Sequence, residues 1–271
     1  EVLELRDNSL SGNLPSQLAN FNARPGGTSV MQSISLANNA LEGHLPPFGA
    51  NPAVDANLLM LDVSNNRLSG SVPGAYATLP QLQVLYLRQN QLIGTLPSLF
   101  GDSGGLAELR YLELRHNAQL SGTLPATMGG LTRMQALQAE ACRLSGSLPT
   151  TAGLWRDLLS LQVHDNSISG NIPTELGKLR QLEHLDLHNN PLTGDFPSEL
   201  GLLINIHKLY LPNEQLLPLR MRYCQQRLPN VGKYNYRIVR EEYYRMAASL
   251  CPEPFDTLNA FGTLAQISGD I

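Results

Sequence analysis

Leu61-Asp62-Val63-Ser64-Asn65-Asn66-Arg67-Leu68-Ser69-Gly70-Ser71-Val72-Pro73 is one turn of a pattern that recurs along most of this chain of 271 residues. Aligned on its asparagine, the same spacing returns as Leu3-Leu5-Asn8-Leu10-Gly12-Leu14-Pro15 and as Ile34-Leu36-Asn39-Leu41-Gly43-Leu45-Pro46. It continues through Asn90, Asn117, Cys142, Asn166 and Asn190 at intervals of 24 to 31 residues. With a degraded last unit at Leu209-Tyr210-Leu211, about nine units fill positions 1–216. A period of this length marks a solenoid, in which each unit packs only on its neighbours and one core runs through the stack.

Within each unit, the L-x-x-L-x-L stretch alternates inward leucines with outward residues, as a short strand does. Stacking the units pairs these strands into a parallel sheet with a spacing of about 4.8 Å. Each buried leucine then contributes about 1.5–3 kcal/mol before entropy is counted. The asparagines Asn8, Asn39, Asn66, Asn90, Asn117, Asn166 and Asn190 are read as structural. Their amides carry donors and an acceptor that can satisfy backbone groups in the turn after the strand. Cys142 occupies the same position and is expected to be a buried thiol in place of an asparagine. The glycine that follows permits unusual backbone geometry, and the proline ends the extended segment because it has no N–H to give a ladder.

The sequence L-S-G-x-L-P followed by E-L-G, as in Leu192-Thr193-Gly194-Asp195-Phe196-Pro197-Ser198-Glu199-Leu200-Gly201, resembles the plant-type leucine-rich repeat L-x-x-L-x-L-x-x-N-x-L-S-G-x-L-P. It is similar to the ectodomains of plant receptor kinases and to polygalacturonase inhibitors, over about 210 residues of the chain. The resemblance implies an α/β solenoid: a right-handed leucine-rich-repeat superhelix with a parallel sheet on its concave face. It also implies a second strand after L-S-G-x-L-P, and recognition in signalling or defence. The paired-cysteine N-terminal cap of those proteins is missing, and no kinase domain follows.

Beyond the repeats, 217–251 reads as a helical C-terminal cap of two short amphipathic helices around Pro229-Asn230-Val231-Gly232-Lys233, and 252–271 as an extended tail. Cys224 and Cys251 flank the cap, and a disulfide between them would stabilise it by about 3 kcal/mol in the loop-entropy account. That bond would place the protein in an oxidising compartment, either extracellular and secretory or an organelle lumen. The chain contains no N-x-Ser/Thr acceptor site, which shifts the expectation towards a compartment that does not glycosylate. It opens inside a repeat with no signal peptide. An N-terminal cap has then been processed away or is disordered, or a partner covers that end.

The net charge of −4 is small, and no basic stripe accompanies aromatic residues, which argues against nucleic acid. Seven basic and three acidic residues between Glu214 and Leu250 make the cap basic on an acidic body, most simply to solvate its helices. No apolar run reaches the roughly 18 residues of a transmembrane segment. Three spacers lengthen their units, Ala19 to Ser29, Pro47 to Asn57 and Gly101 to Glu108, and are expected to bulge away from the strand face.

Equivalent outward positions of successive units stand side by side. The column between the two leucines reads Glu4, Ser35, Asp62, Tyr86, Glu113, Gln138, Gln162, Asp186, Tyr210. The column after the second leucine reads Arg6, Ala37, Ser64, Arg88, Arg115, Glu140, His164, His188, Pro212. Tyr86, Arg88, Tyr111, Glu113, Arg115, Glu140, His164, Asp186 and His188 are therefore the expected ligand-binding surface, rich in the Tyr and Arg that anchor interfaces. The competing reading is a solvated face in which Arg115 and Glu140 neutralise each other for about 0–1 kcal/mol.

His184-Leu185-Asp186-Leu187-His188, with His164 one strand away, could hold zinc. Side chains two apart on a flat strand stand about 6.5–7 Å apart, so no metal is expected. No nucleophile elbow, phosphate loop or H-E-x-x-H motif occurs, and no cofactor is implied. Gly101-Asp102-Ser103-Gly104-Gly105 is read as a spacer rather than a catalytic-serine loop. Two functions remain. The first is a non-enzymatic module that binds a protein, peptide or glycan through the concave face. The alternative is a permanent accessory subunit of a larger assembly, docked by its N-terminal coil, cap and tail.

Overall fold

The computed structural model describes residues 1–20, 31–50, 57–102, 105–194 and 197–212. The expected cap and tail, the Cys224–Cys251 pair and most of the first two spacers lie outside the described residues. Nine three-residue strands form one parallel sheet in chain order: Val2–Glu4, Ser33–Ser35, Met60–Asp62, Val84–Tyr86, Tyr111–Glu113, Ala136–Gln138, Ser160–Gln162, His184–Asp186 and Lys208–Tyr210. They are referred to below by coils 1 to 9. The register sets Leu3, Ile34, Leu61, Leu85, Leu112, Leu137, Leu161, Leu185 and Leu209 in a single inward row. From Ile34 to Leu185 that row is at most 1% exposed. Two large side chains with polar tips, Trp155 and Tyr76, sit in this otherwise apolar core with those tips satisfied. Trp155 Nε1 donates to the Met128 carbonyl at 2.7 Å, and the Tyr76 hydroxyl to that of Pro46 at 3.0 Å.

A second set of parallel strands runs beside the first. Ser69–Gly70, Gln91–Thr95, Gln119–Gly122, Arg143–Gly146 and Ser167–Ile168 form one sheet, and Ser11–Asn13 pairs with Ala40–Glu42. These strands lie on L-S-G itself rather than after L-S-G-x-L-P, where the resemblance had placed them. The proline explains the difference, since it cannot donate to a ladder. It opens a 3₁₀ turn instead, as Pro73 does for Gly74–Thr78 and Pro173 for Thr174–Lys178. The helical component of the solenoid is, among the described residues, made of these five-residue 3₁₀ turns.

Between the two strands, the chain reverses at a residue with positive φ, 50° to 58° in coils 1 to 8, just before the ladder position. The asparagine that follows ties two coils together. Asn66 Nδ2 donates to its own coil at Val63 and Ser64 and to the preceding coil at Leu36, while its Oδ1 accepts from the Leu41 amide. Asn39, Asn90, Asn166 and Asn190 repeat this pattern, and Asn117 repeats it with two carbonyls. Asn8 bonds only within its own coil. The L-S-G glycine takes the left-handed conformation, which a side chain would strain, and at Gly70 (φ +77°) a Cβ would stand 2.1 Å from Cδ2 of the exposed His44 ring, which would have to move aside. The third spacer lies on the 3₁₀ side, as expected: a Cβ at Gly105 would meet the Ala77 carbonyl oxygen at 2.3 Å.

Candidate functional site on the main sheet

The strand register aligns the outward columns as the repeat spacing dictates. Glu4, Ser35, Asp62, Tyr86, Glu113, Gln138, Gln162, Asp186 and Tyr210 are successive partners. Backbone bonds from Gln89, His116, Ala141 and Asp165 to Arg115, Glu140, His164 and His188 carry the next column past the strand ends. All nine predicted residues therefore share one face, in two groups.

The first group spans coils 4 to 6. Glu113 Oε2 lies 3.2 Å from Arg88 NH1 and 3.9 Å from Arg115 Nε, and Arg115 NH1 reaches Glu140 Oε1 at 3.6 Å. The Tyr111 hydroxyl donates to Gln135 Oε1 at 2.5 Å. Glu140 is only 5% exposed, so the face is less solvated than the alternation of residue types suggests. Burial pushes the Glu113 carboxyl above its ordinary range even though Arg88 and Arg115 pull it down. Burial also raises the Tyr86 hydroxyl, and the Glu113 charge adds to that shift. The expected Arg115–Glu140 neutralisation is present, yet it is incomplete in hydrogen bonding. Arg88 Nε, Arg115 Nε, Arg110 Nε and Glu140 Oε2 have no hydrogen-bond partner.

The second group spans coils 7 and 8. Asp186, 5% exposed, accepts from the His188 backbone amide at 3.3 Å and has its Oδ1 2.5 Å from His188 Nδ1. Its Oδ2 stands 3.3 Å from His164 Nδ1 and 4.0 Å from His184 Nε2. The His164 and His188 rings stack at 4.5 Å with planes 14° apart. Burial lowers the His184 imidazole, partly opposed by Asp186. Flat-strand spacing had argued that these groups stay apart. The strand ends at Asp186, so His188 lies in the turn beyond it and folds back onto the carboxylate, while His164 arrives from the neighbouring coil.

His184 and Tyr210 complete the face without having been singled out as contacts. His184 packs edge-on to Tyr210 at 5.9 Å. The signal for His184 is the column one residue ahead of the first leucine, which also holds Tyr111 and Lys208. A depression of about 430 Å³ lies between coils 1 and 2, lined by Asn13, Ser16, His44 and Pro47 among others, and touches none of these residues. No described helix is long and apolar enough to cross a membrane.

The sequence matches three leucine-rich-repeat family models: "Leucine-rich repeat region" over 100–225, "Leucine Rich repeats (2 copies)" over 56–101 and "Leucine Rich Repeat" over 1–21. Receptor-like protein 53 of Arabidopsis thaliana is 36% identical over 124 residues, which is 46% of this chain but 11% of that protein. Among solved structures, the ectodomain of the Arabidopsis receptor kinase HAESA, in complex with an N-terminally extended IDA peptide hormone ligand, is 29% identical. It superposes with a TM-score of 0.71, covering 83% of this chain and 36% of the receptor. The plant peptide hormone receptor RGFR1 in complex with RGF2 is 28% identical with a TM-score of 0.64, covering 78% and 36%. The chain thus spans about a third of each receptor ectodomain and a smaller part of the curated relative. Repeat spacing, strand register, asparagine ladder and these likenesses converge: the chain belongs to the plant-type leucine-rich-repeat proteins.

Proposed function

We propose that the chain is a non-enzymatic recognition module that holds an extended peptide or protein segment across the outer face of the main sheet, over coils 4 to 8. The observation that carries this reading is the half-satisfied charged row Arg88–Glu113–Arg115–Glu140. Buried polar atoms without partners cost about 1–3 kcal/mol each, and a ligand that supplies those partners recovers the cost. Tyr86 and Tyr111 flank the row and offer aromatic surface at low entropic cost. A strand face with side chains at regular spacing suits an extended chain better than a compact small molecule. The two receptors described above, each solved with a peptide hormone, support the choice of ligand class.

The test is selection from a displayed random peptide library on the full chain, followed by measurement of the enriched peptides on an Arg88→Glu, Arg115→Glu double variant. Removing two arginine anchors at about 2 kcal/mol or more each predicts a loss of at least roughly a hundredfold in affinity, measured well below the variant's own melting transition, which loss of the pairs to Glu113 and Glu140 lowers. Peptides that bind the double variant as tightly as the parent, or a selection that enriches nothing, would overturn the reading.

A further inference from the structure

We infer that His164, Asp186 and His188 form a binding site for a single divalent transition metal of the zinc class, set into the outer sheet face at coils 7 and 8. One nitrogen from each imidazole and one carboxylate oxygen all lie within 4.8 Å of one another. These donors are of the type that borderline metals select, two imidazoles and a carboxylate. They sit on rigid elements. Asp186 ends a strand paired on both sides, and the two rings are stacked over it.

The local polarity is unresolved without a cation. Asp186 is a nearly buried carboxylate whose Oδ2 has only imidazole nitrogens near it, and His164 Nδ1 and His184 Nε2 lack any hydrogen-bond partner. A buried carboxylate beside unpartnered nitrogens is costly. One cation at their centre would engage the carboxylate and both ring nitrogens at once. Zinc bonds of about 2.0–2.2 Å place tetrahedral donors roughly 3.4 Å apart; His164 Nδ1 already stands 3.3 Å from Asp186 Oδ2, while His188 Nδ1, 2.5 Å from Oδ1, must draw back by about an ångström. Rotation about the His188 side-chain torsions supplies a movement of that size, because that side chain is 37% exposed. His184 Nε2, 4.0 Å from Asp186 Oδ2, stands next to the set.

The site shares the outer face with the proposed peptide surface but uses neither Arg88 nor Arg115, so it stands or falls separately. The experiment is titration of the chelator-stripped full chain with cobalt(II) alone, read by its visible d–d absorption, with zinc as competitor. Saturation at one equivalent, displaced by zinc, is the expected result. His164→Ala and His188→Ala should each weaken binding by more than the roughly tenfold typical of losing an outer-shell partner. His44→Ala and His207→Ala should leave it unchanged. His188→Ala alters a half-exposed side chain and preserves the fold, so its result is interpretable even where Asp186→Asn perturbs the core. Absence of saturable binding, or binding that survives loss of both His164 and His188, would overturn the inference. Cobalt is read without any peptide, so a failed peptide selection leaves this test intact.

Discussion

Cys142 Sγ lies 3.5 Å from the Leu114 carbonyl oxygen, the contact that Asn117 and Asn166 make to Leu87 and Ala139 with their amides. A thiol reproduces the donor half of the asparagine's role but not the acceptor half, because sulfur is a weak acceptor. Coil 5 accommodates this. One extra residue separates Asn117 from Leu120, compared with Asn90 and Leu92, and the Leu120 amide bonds to the Asn117 carbonyl at 2.9 Å instead of to the next ladder position.

Cys142→Asn should therefore not stabilise the protein, although it restores the consensus. Its Oδ1 would find the Leu120 amide already engaged, and we expect a loss of about 1 kcal/mol. Asn117→Ala should cost more, about 2–4 kcal/mol. It strips partners from the Leu92 amide and from the Leu87 and Leu114 carbonyls at a fully buried position. Urea midpoints of the two variants against the parent decide the order. A larger loss for Cys142→Asn would contradict the account of the ladder.

The thiol itself should be inert. Burial pushes its pKa up to about 11 from the ordinary 9.0, outweighing the backbone hydrogen bonding that lowers it. A thiol-specific disulfide reagent at mildly alkaline pH should label it in urea but not in the native state. The sign of the pH dependence follows from the same shift. The buried neutral thiol contributes fully below about pH 9, and that contribution is lost as pH rises through about 11. Alkaline unfolding should accordingly move to higher pH in Cys142→Ser, whose hydroxyl does not ionise there.

Most of the solenoid and the membership of the face were legible in the sequence, because one spacing rule fixes both the inward row of leucines and the alignment of the outward columns. Interactions within the face were not. Repeat spacing says that Asp186 and His188 point outward, but not that the strand stops between them and lets the ring fold back. Nor does it reveal that Glu140 is 5% exposed, since that depends on how the long side chains of neighbouring columns cover it. Positions 217–271 have no repeat to read from, and there the sequence supports only local helix and cysteine arguments.

Glu113 should report on its arginine neighbours. Its carboxyl is raised by burial and pulled back by Arg88 first and Arg115 second. Replacing Arg88 with Met removes the larger pull, so the Glu113 titration followed by carboxyl-carbon NMR should move further upward. A carboxyl raised on folding favours the native state fully below its unfolded value of 4.5, and that advantage is lost as pH rises through its folded value. In the Arg88→Met variant the loss should extend to higher pH. An unmoved or lowered titration would mean that the 3.2 Å pair with Arg88 does not persist in solution.

Two glycines of the 3₁₀ turns should respond in opposite ways to alanine. At Gly130 a Cβ would sit 1.9 Å from the Gly101 carbonyl oxygen, and backbone cannot retreat as a flexible side chain can. The third spacer is held against coil 5 by this close approach, so Gly130→Ala must either push the spacer away or open the turn. Overpacking of this kind costs about 1–3 kcal/mol. Gly74 opens its turn directly after Pro73, with no left-handed φ and no heavy atom within 4 Å of the place a methyl group would take. Alanine there restricts only the unfolded chain and should stabilise by about 0.4–1 kcal/mol. Thermal midpoints of the two variants should fall on either side of the parent; a Gly130→Ala protein as stable as the parent would show that the spacer does not pack on the turn.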